Sequence, residues 1–141
     1  MIRVGLLSSL LAACGMGDVA EPSAPGPSVS EEANAPTVPT EVDVATLKAA
    51  REAGEVPVLV DVRTPPEVAQ GAVPGILAMP MNEVSGRLAE LEPYKDGPIY
   101  VICKSGGRSG AVSKDLRARG YQAINVAGGT SAWIAAGYPT E

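Results

Sequence analysis

The stretch Ile99-Tyr100-Val101-Ile102-Cys103-Lys104-Ser105-Gly106-Gly107-Arg108-Ser109 changes character twice. Its opening is an unbroken apolar run, of the length and β-branched content that suits a strand buried on both faces of a parallel sheet. A glycine-rich turn follows the cysteine. The spacing over residues 108–119 then predicts a helix stopped at Gly120. A strand delivering a cysteine into a tight loop at the start of a helix sets the frame for the rest of the chain.

Working outward, Val56-Pro57-Val58-Leu59-Val60-Asp61-Val62 is a second run of the same kind, with weaker strands over 76–79 and 123–126. Asp43 is placed to N-cap a helix with Val44, Leu47 and Ala50 on one face, closed by Gly54. A further helical pattern covers 82–91. Strands and helices alternating at these lengths predict an α/β fold with a mainly parallel central sheet. Sheets of that type bind ligands beyond the carboxyl ends of their strands. Cys103, Asp61-Val62-Arg63 and Ala127-Gly128-Gly129 are expected together on that edge.

Composition narrows the chemistry. With 141 residues, 45% of them hydrophobic, the chain supports one modest domain and a short appendage. Of the net charge of −5, much lies in residues 15–40, where Asp18, Glu21, Glu31 and Glu32 have no Lys or Arg among them. The remainder is nearly balanced, so no basic face points to a nucleic acid partner. There is no histidine, which removes Ser-His and Cys-His activation and the commonest metal ligand. Cys14 and Cys103 are the two cysteines and show no paired spacing, so neither a metal nor another cofactor is expected.

The N-terminus reads as an address. Met1-Ile2-Arg3 precedes an apolar stretch over 4–13 that is far shorter than the about 20 residues needed to span a bilayer, which fits a processed export signal. Leu11-Ala12-Ala13-Cys14 resembles the bacterial lipobox. That resemblance implies a diacylglyceryl group on Cys14 and attachment to a membrane at the periplasmic or another extracytoplasmic face of the cell envelope. Residues 15–40, rich in Pro, Ser, Ala and Glu, are expected to be a disordered tether. The division is therefore a signal over 1–14, a linker over 15–40 and a folded domain over 41–141.

The cysteine in the glycine loop is the candidate reactive group. A thiol reacts as its thiolate, and a helix N-terminus, inward-turned glycine N–H groups, Lys104 and Arg108 all favour that form. The same donors suit an anionic substrate. Asp61 either holds Arg108 or the loop backbone, or caps the turn that follows its strand. Arg63 and Glu67, four apart, are expected to pair on a short helix. Trp133 reads as core, and Gly128-Gly129 as a turn that starts a helix close to the site.

These residues carry a family resemblance. Asp61-Val62-Arg63 with Glu67, the run from Cys103 to Ser109, Leu116 with Gly120-Tyr121, Gly128-Gly129, Ala132-Trp133 and Gly137-Tyr138-Pro139 together resemble a rhodanese domain, in order over residues 41–139. The resemblance implies a five-stranded parallel sheet flanked by helices. It also implies that Cys103 is the persulfide-forming nucleophile of a sulfurtransferase, with Lys104, Ser105, Gly106, Gly107, Arg108 and Ser109 as the surrounding donor-binding loop and Asp61 and Arg63 in support. Thiosulfate or a similar donor would supply the sulfur, and a thiol or cyanide would take it. Where many members have Gly-His-Ile, this chain has Gly71-Ala72-Val73, a departure that bears on local packing because that histidine carries no sulfur. Two rival readings share the cysteine: a sulfur-carrier or interaction module with little turnover, and a cysteine-based phosphatase or arsenate reductase. Phosphatases of that type place five residues between Cys and Arg, whereas Lys104, Ser105, Gly106 and Gly107 alone separate Cys103 from Arg108. The shorter loop suits a single sulfur atom.

Overall fold

The computed structural model describes residues 38–141. Cys14, the lipobox-like segment and the linker up to residue 37 lie outside the described residues.

The domain is built on a parallel sheet of β1 (Glu41–Val42), β2 (Leu59–Asp61), β3 (Leu77–Ala78), β4 (Pro98–Ile102) and β5 (Gln122–Val126), in the order β1-β5-β4-β2-β3. Four α-helices accompany it: α1 (Val44–Glu52), α2 (Pro65–Ala69), α3 (Gly107–Ala118) and α4 (Gly129–Ala135). Successive strand side chains alternate between the two faces. Ile99, Val101 and Cys103 therefore join Val112 and Leu116 of α3 in one core. Tyr100 and Ile102 face the opposite way, joining Leu47 of α1 and Trp133 of α4 in the second. Both faces of β4 are thus sealed, which is why its sequence is apolar without alternation.

Local signals place the helices. The Asp43 carboxylate accepts from the Thr46 N–H at 2.8 Å and caps α1, whose Leu47 is fully buried. Trp133 is core as expected, with its Nε1 donating to the Pro139 carbonyl at 2.7 Å and its ring edge-on to Tyr138. The fold begins slightly before residue 41, since the Asn125 N–H donates to the Thr40 carbonyl at 2.9 Å.

Residues 82–91 differ from expectation. Instead of an α-helix, the chain makes three 3-10 turns, Met81–Gly86, Leu88–Glu90 and Glu92–Tyr94. Gly86 ends the first, and Arg87 at φ −121°, ψ 22° leaves helical geometry. Pro93, without an N–H, is the second residue of the third. Val84 and Leu91 still reach the core, so the apolar spacing is satisfied by short turns.

Because every pairing in the sheet is parallel, the carboxyl ends of β2, β4 and β5 open on one edge. The loops after them carry Asp61-Val62-Arg63, Cys103 and Gly128-Gly129.

Candidate active site

Cys103 follows the last residue of β4 and is 1% exposed. Its sulfur does not rest in hydrocarbon alone. The chain turns sharply at Gly106, with φ +107°, and this aims the Gly106 N–H at Sγ from 3.1 Å. A β-carbon there would stand 3.3 Å from the Gly128 nitrogen in a backbone region that L side chains rarely adopt. The Ser109 hydroxyl, in the first turn of α3, approaches Sγ at 3.3 Å from the buried side.

The loop is anchored from beneath by the start of α4. The Thr130 N–H donates to the Cys103 carbonyl at 2.8 Å, its Oγ1 donates to the same oxygen at 3.1 Å, and the Ser131 N–H donates to the Lys104 carbonyl at 2.9 Å. This close approach requires Gly129: a β-carbon there would lie 2.6 Å from the Lys104 carbonyl oxygen. The expected helix start beside the site is therefore also its floor.

Two effects compete over the thiol. Burial pushes it up, whereas the Ser109 hydroxyl and the N–H groups of Ser109, Gly106 and Ser105 pull it down, and the net result lies below the ordinary thiol value. The donors in contact with the sulfur are neutral, and Arg108 adds a charge interaction with it from farther off. Lys104 is exposed. The Arg108 guanidinium turns away to grip Glu67, with Nη2 to Oε1 at 2.8 Å and Nη1 to Oε2 at 2.9 Å.

That grip overturns the expected Arg63–Glu67 pair. Hydrogen bonding from Arg108, joined by Thr64, holds the Glu67 carboxyl well below the usual carboxylate range. Arg63 instead lies almost fully buried against Asp61, with Nη2 to Oδ2 at 2.8 Å and Nε to Oδ1 at 3.0 Å. Its Nη1 and Nη2 also donate to the carbonyls of Glu67 and Gly71. Of the two readings of Asp61, turn capping fits: Oδ1 accepts the Arg63 N–H at 3.0 Å. Asp61 and Arg63 brace the β2–α2 connection and do not touch the sulfur.

Beside the loop is a cavity of about 150 Å³, lined by Arg63, Glu67, Lys104, Thr130, Ser131 and Ile134 among others. Lys104 is the loop residue that lines it. Ser109, fully buried, meets the sulfur from α3 and does not line this cavity. Ser105 and Gly107 are exposed on the loop. Sequence reasoning missed Thr130 and Asn125; the latter, a polar residue inside the apolar run of β5, was the available signal for a buried hydrogen bond near the site.

Residues 43–136 match the family model of the rhodanese-like domain. The chain belongs to the rhodanese family. A sulfurtransferase of Allochromatium vinosum is 37% identical over 100 residues, spanning 70% of this chain and 92% of its own length. The thiosulfate sulfurtransferase PspE of Escherichia coli is 36% identical over 70 residues, half of this chain and 67% of that protein. Among solved structures, a rhodanese-related protein from Thermoplasma volcanium superposes with a TM-score of 0.65 at 30% identity, covering 72% of this chain and 96% of that one. The five-stranded parallel sheet with helices is thus the rhodanese fold, and Cys103 is the buried thiol of a rhodanese-type sulfurtransferase.

Proposed function

We propose that the protein moves sulfane sulfur from thiosulfate, or a donor of the same anionic kind, to a thiol or cyanide through a persulfide on Cys103. The carrying observation is the Cys103 sulfur at the end of β4, held by the Gly106 N–H at 3.1 Å in a loop that favours its anion. In the first half-reaction the Cys103 thiolate attacks the outer sulfur of thiosulfate. A sulfur–sulfur bond forms to the protein, the bond to the sulfonate sulfur breaks, and sulfite leaves with the electron pair. The persulfide terminus then occupies the ring of loop N–H groups, where its negative charge is matched. In the second half-reaction, cyanide or a thiolate attacks the outer persulfur and leaves as thiocyanate or a persulfide, regenerating the Cys103 thiolate. Neither half needs a histidine base.

Lys104 at the cavity rim supports use of an anionic donor. Arg108, already matched by Glu67, is not free to clamp a phosphate, which disfavours a phosphatase reading. Intact mass after thiosulfate exposure tests the cycle. A gain of about 32 Da, lost on adding cyanide and absent in Cys103→Ser, is expected for one carried sulfur atom. A wild-type mass that stays unchanged rejects the proposal.

The proposal extends to location. Leu11-Ala12-Ala13-Cys14 after an apolar lead-in supports lipidation at Cys14 and attachment to the cell envelope outside the cytoplasm. Labelled palmitate should enter the wild-type chain in a bacterial host and not Cys14→Ser; equal labelling of the two, or none, rejects it.

A further inference from the structure

The Ser109 hydroxyl has one proton and two acceptors within reach. The Cys103 Sγ lies 3.3 Å from its oxygen, and the Asn125 Oδ1 lies at 2.6 Å. A hydroxyl donates once, so these contacts compete. Ser109 is fully buried and Asn125 is 6% exposed, so bulk water does not make up for a donor withdrawn from either acceptor.

The orientation of the Asn125 amide decides the competition, and Glu41 on the edge strand β1 sets it. The Asn125 Nδ2 donates to Glu41 Oε2 at 2.8 Å. A carboxylate only accepts, so it takes the amide's NH2 side and turns the oxygen toward Ser109. On the α3 side the amide lies against Gly110, where a β-carbon would stand 3.4 Å from Nδ2. We propose that Asn125, aimed by Glu41, is a positioning residue that draws the Ser109 hydroxyl proton away from the Cys103 sulfur and so restrains ionisation of the thiol.

In the resting thiol the chain of donors runs from the Cys103 S–H to Ser109 Oγ, and from the Ser109 O–H to Asn125 Oδ1. When the thiol gives up its proton, the hydroxyl swings to the sulfur and Oδ1 loses its donor in a buried place. The charged groups around the loop stand outside this chain of donors, and Arg108 among them interacts with the charge on the sulfur. Lys104 and Arg108 stand on its own loop and helix, Glu67 faces Arg108 from α2, and Asp61 at the end of β2 is held by Arg63.

The inference rests on Cys103 as the reactive thiol, but its test reads ionisation alone and uses no sulfur donor. Failure of sulfur transfer and failure of this relay are therefore separable. The measurement is the rate of iodoacetamide capture at Cys103 in the full chain, followed by peptide mass across pH. In Glu41→Ala the amide is released to turn its NH2 toward Ser109 Oγ, which commits the hydroxyl proton to the sulfur. Capture at pH 6.5 is expected to rise about threefold, with the profile displaced to lower pH. Asn125→Ala, which removes the competing acceptor outright, should displace it the same way. Ser109→Ala should displace it to higher pH, and adding Glu41→Ala to that background should do nothing more. This last comparison separates the relay from simple loss of a nearby negative charge, which would act in both backgrounds. A Glu41→Ala profile that stays in place or moves to higher pH, or one equally displaced without Ser109, overturns the proposal.

Discussion

The guanidinium of Arg108 and the carboxylate of Glu67 face each other in a two-pronged pair, at 2.8 and 2.9 Å, which ties the first turn of α3 to α2. Bidentate geometry fixes the direction of the arginine as well as its distance. Arg108 also senses charge on Cys103. Glu67 therefore works against the thiolate by cancelling part of the nearby positive field. Glu67→Gln keeps the shape and the Thr64 contacts but unmasks that field. Iodoacetamide capture of Cys103 at pH 6.5 should rise about twofold at low salt, and the gain should vanish in the Glu67→Gln, Arg108→Ala double variant.

The same pair sets an acid limit. Arg108 hydrogen bonds depress the Glu67 pKa in the folded state, so its contribution to stability is complete above the unfolded value, about 4.3. It is lost progressively as pH falls below that value toward the folded one. Urea midpoints of wild type and Glu67→Gln should differ most at neutral pH, and the gap should narrow from about pH 4 downward.

Lys104 has a different task from the loop N–H groups. It is exposed at the rim of the cavity and takes no part in holding Sγ, so its charge should act on the arriving donor and little on the thiol. Lys104→Ala is expected to raise the KM for thiosulfate about three- to tenfold, in a salt-dependent way, while the pH profile of alkylation stays near that of wild type. A displaced profile with unchanged KM would reverse that assignment.

How far the site could be read from sequence follows from which contacts are local. The β4–Cys103–α3 passage was legible because an apolar run, a glycine turn and a helical pattern are contiguous in the chain. Asp43 and Trp133 were legible for the same reason, as a cap beside its helix and a large apolar group. Arg108 and Glu67 meet across a separation of 41 residues, and nothing in their spacing distinguishes that partner from Arg63 four residues away. The turns at 81–94 misled because apolar spacing reports which residues must reach the core, while Gly86 and Pro93 decide the backbone that takes them there. β1 is two residues long, too short for any period to show, and is held by register to Asn125 and Val126.

The Asp61–Arg63 pair should be costly to break on one side. Both side chains are buried, 0% and 5% exposed, and their remaining hydrogen bonds go to backbone groups of Arg63 itself, of Glu67 in α2 and of Gly71 beyond it. Arg63→Leu leaves an uncompensated carboxylate and should cost about 3–5 kcal/mol. Asp61→Leu with Arg63→Leu should cost less than the two single losses added together. Chemical denaturation of the four proteins measures this coupling, and strict additivity would mean that the pair does not act as a unit.

Gly106 and Gly129 should fail in different ways, because one aims a donor and the other makes room. At Gly106 the obstacle is the positive φ, with the nearest backbone atom at 3.3 Å, so Gly106→Ala should fold with a loss of about 1–3 kcal/mol. Relaxing that strain turns its N–H off the sulfur, so alkylation should move to higher pH. At Gly129 a β-carbon collides with the backbone carbonyl of Lys104 at 2.6 Å, and neither α4 nor the loop can yield without breaking the Thr130 and Ser131 hydrogen bonds. Gly129→Ala should therefore cost more, about 4 kcal/mol or above, with the loop detached from its floor. Urea midpoints together with the alkylation profile separate the two cases. Were Gly106→Ala to lose stability while its thiol kept the wild-type profile, the sulfur would owe its ionisation to the Ser109 side of the site and not to the turn.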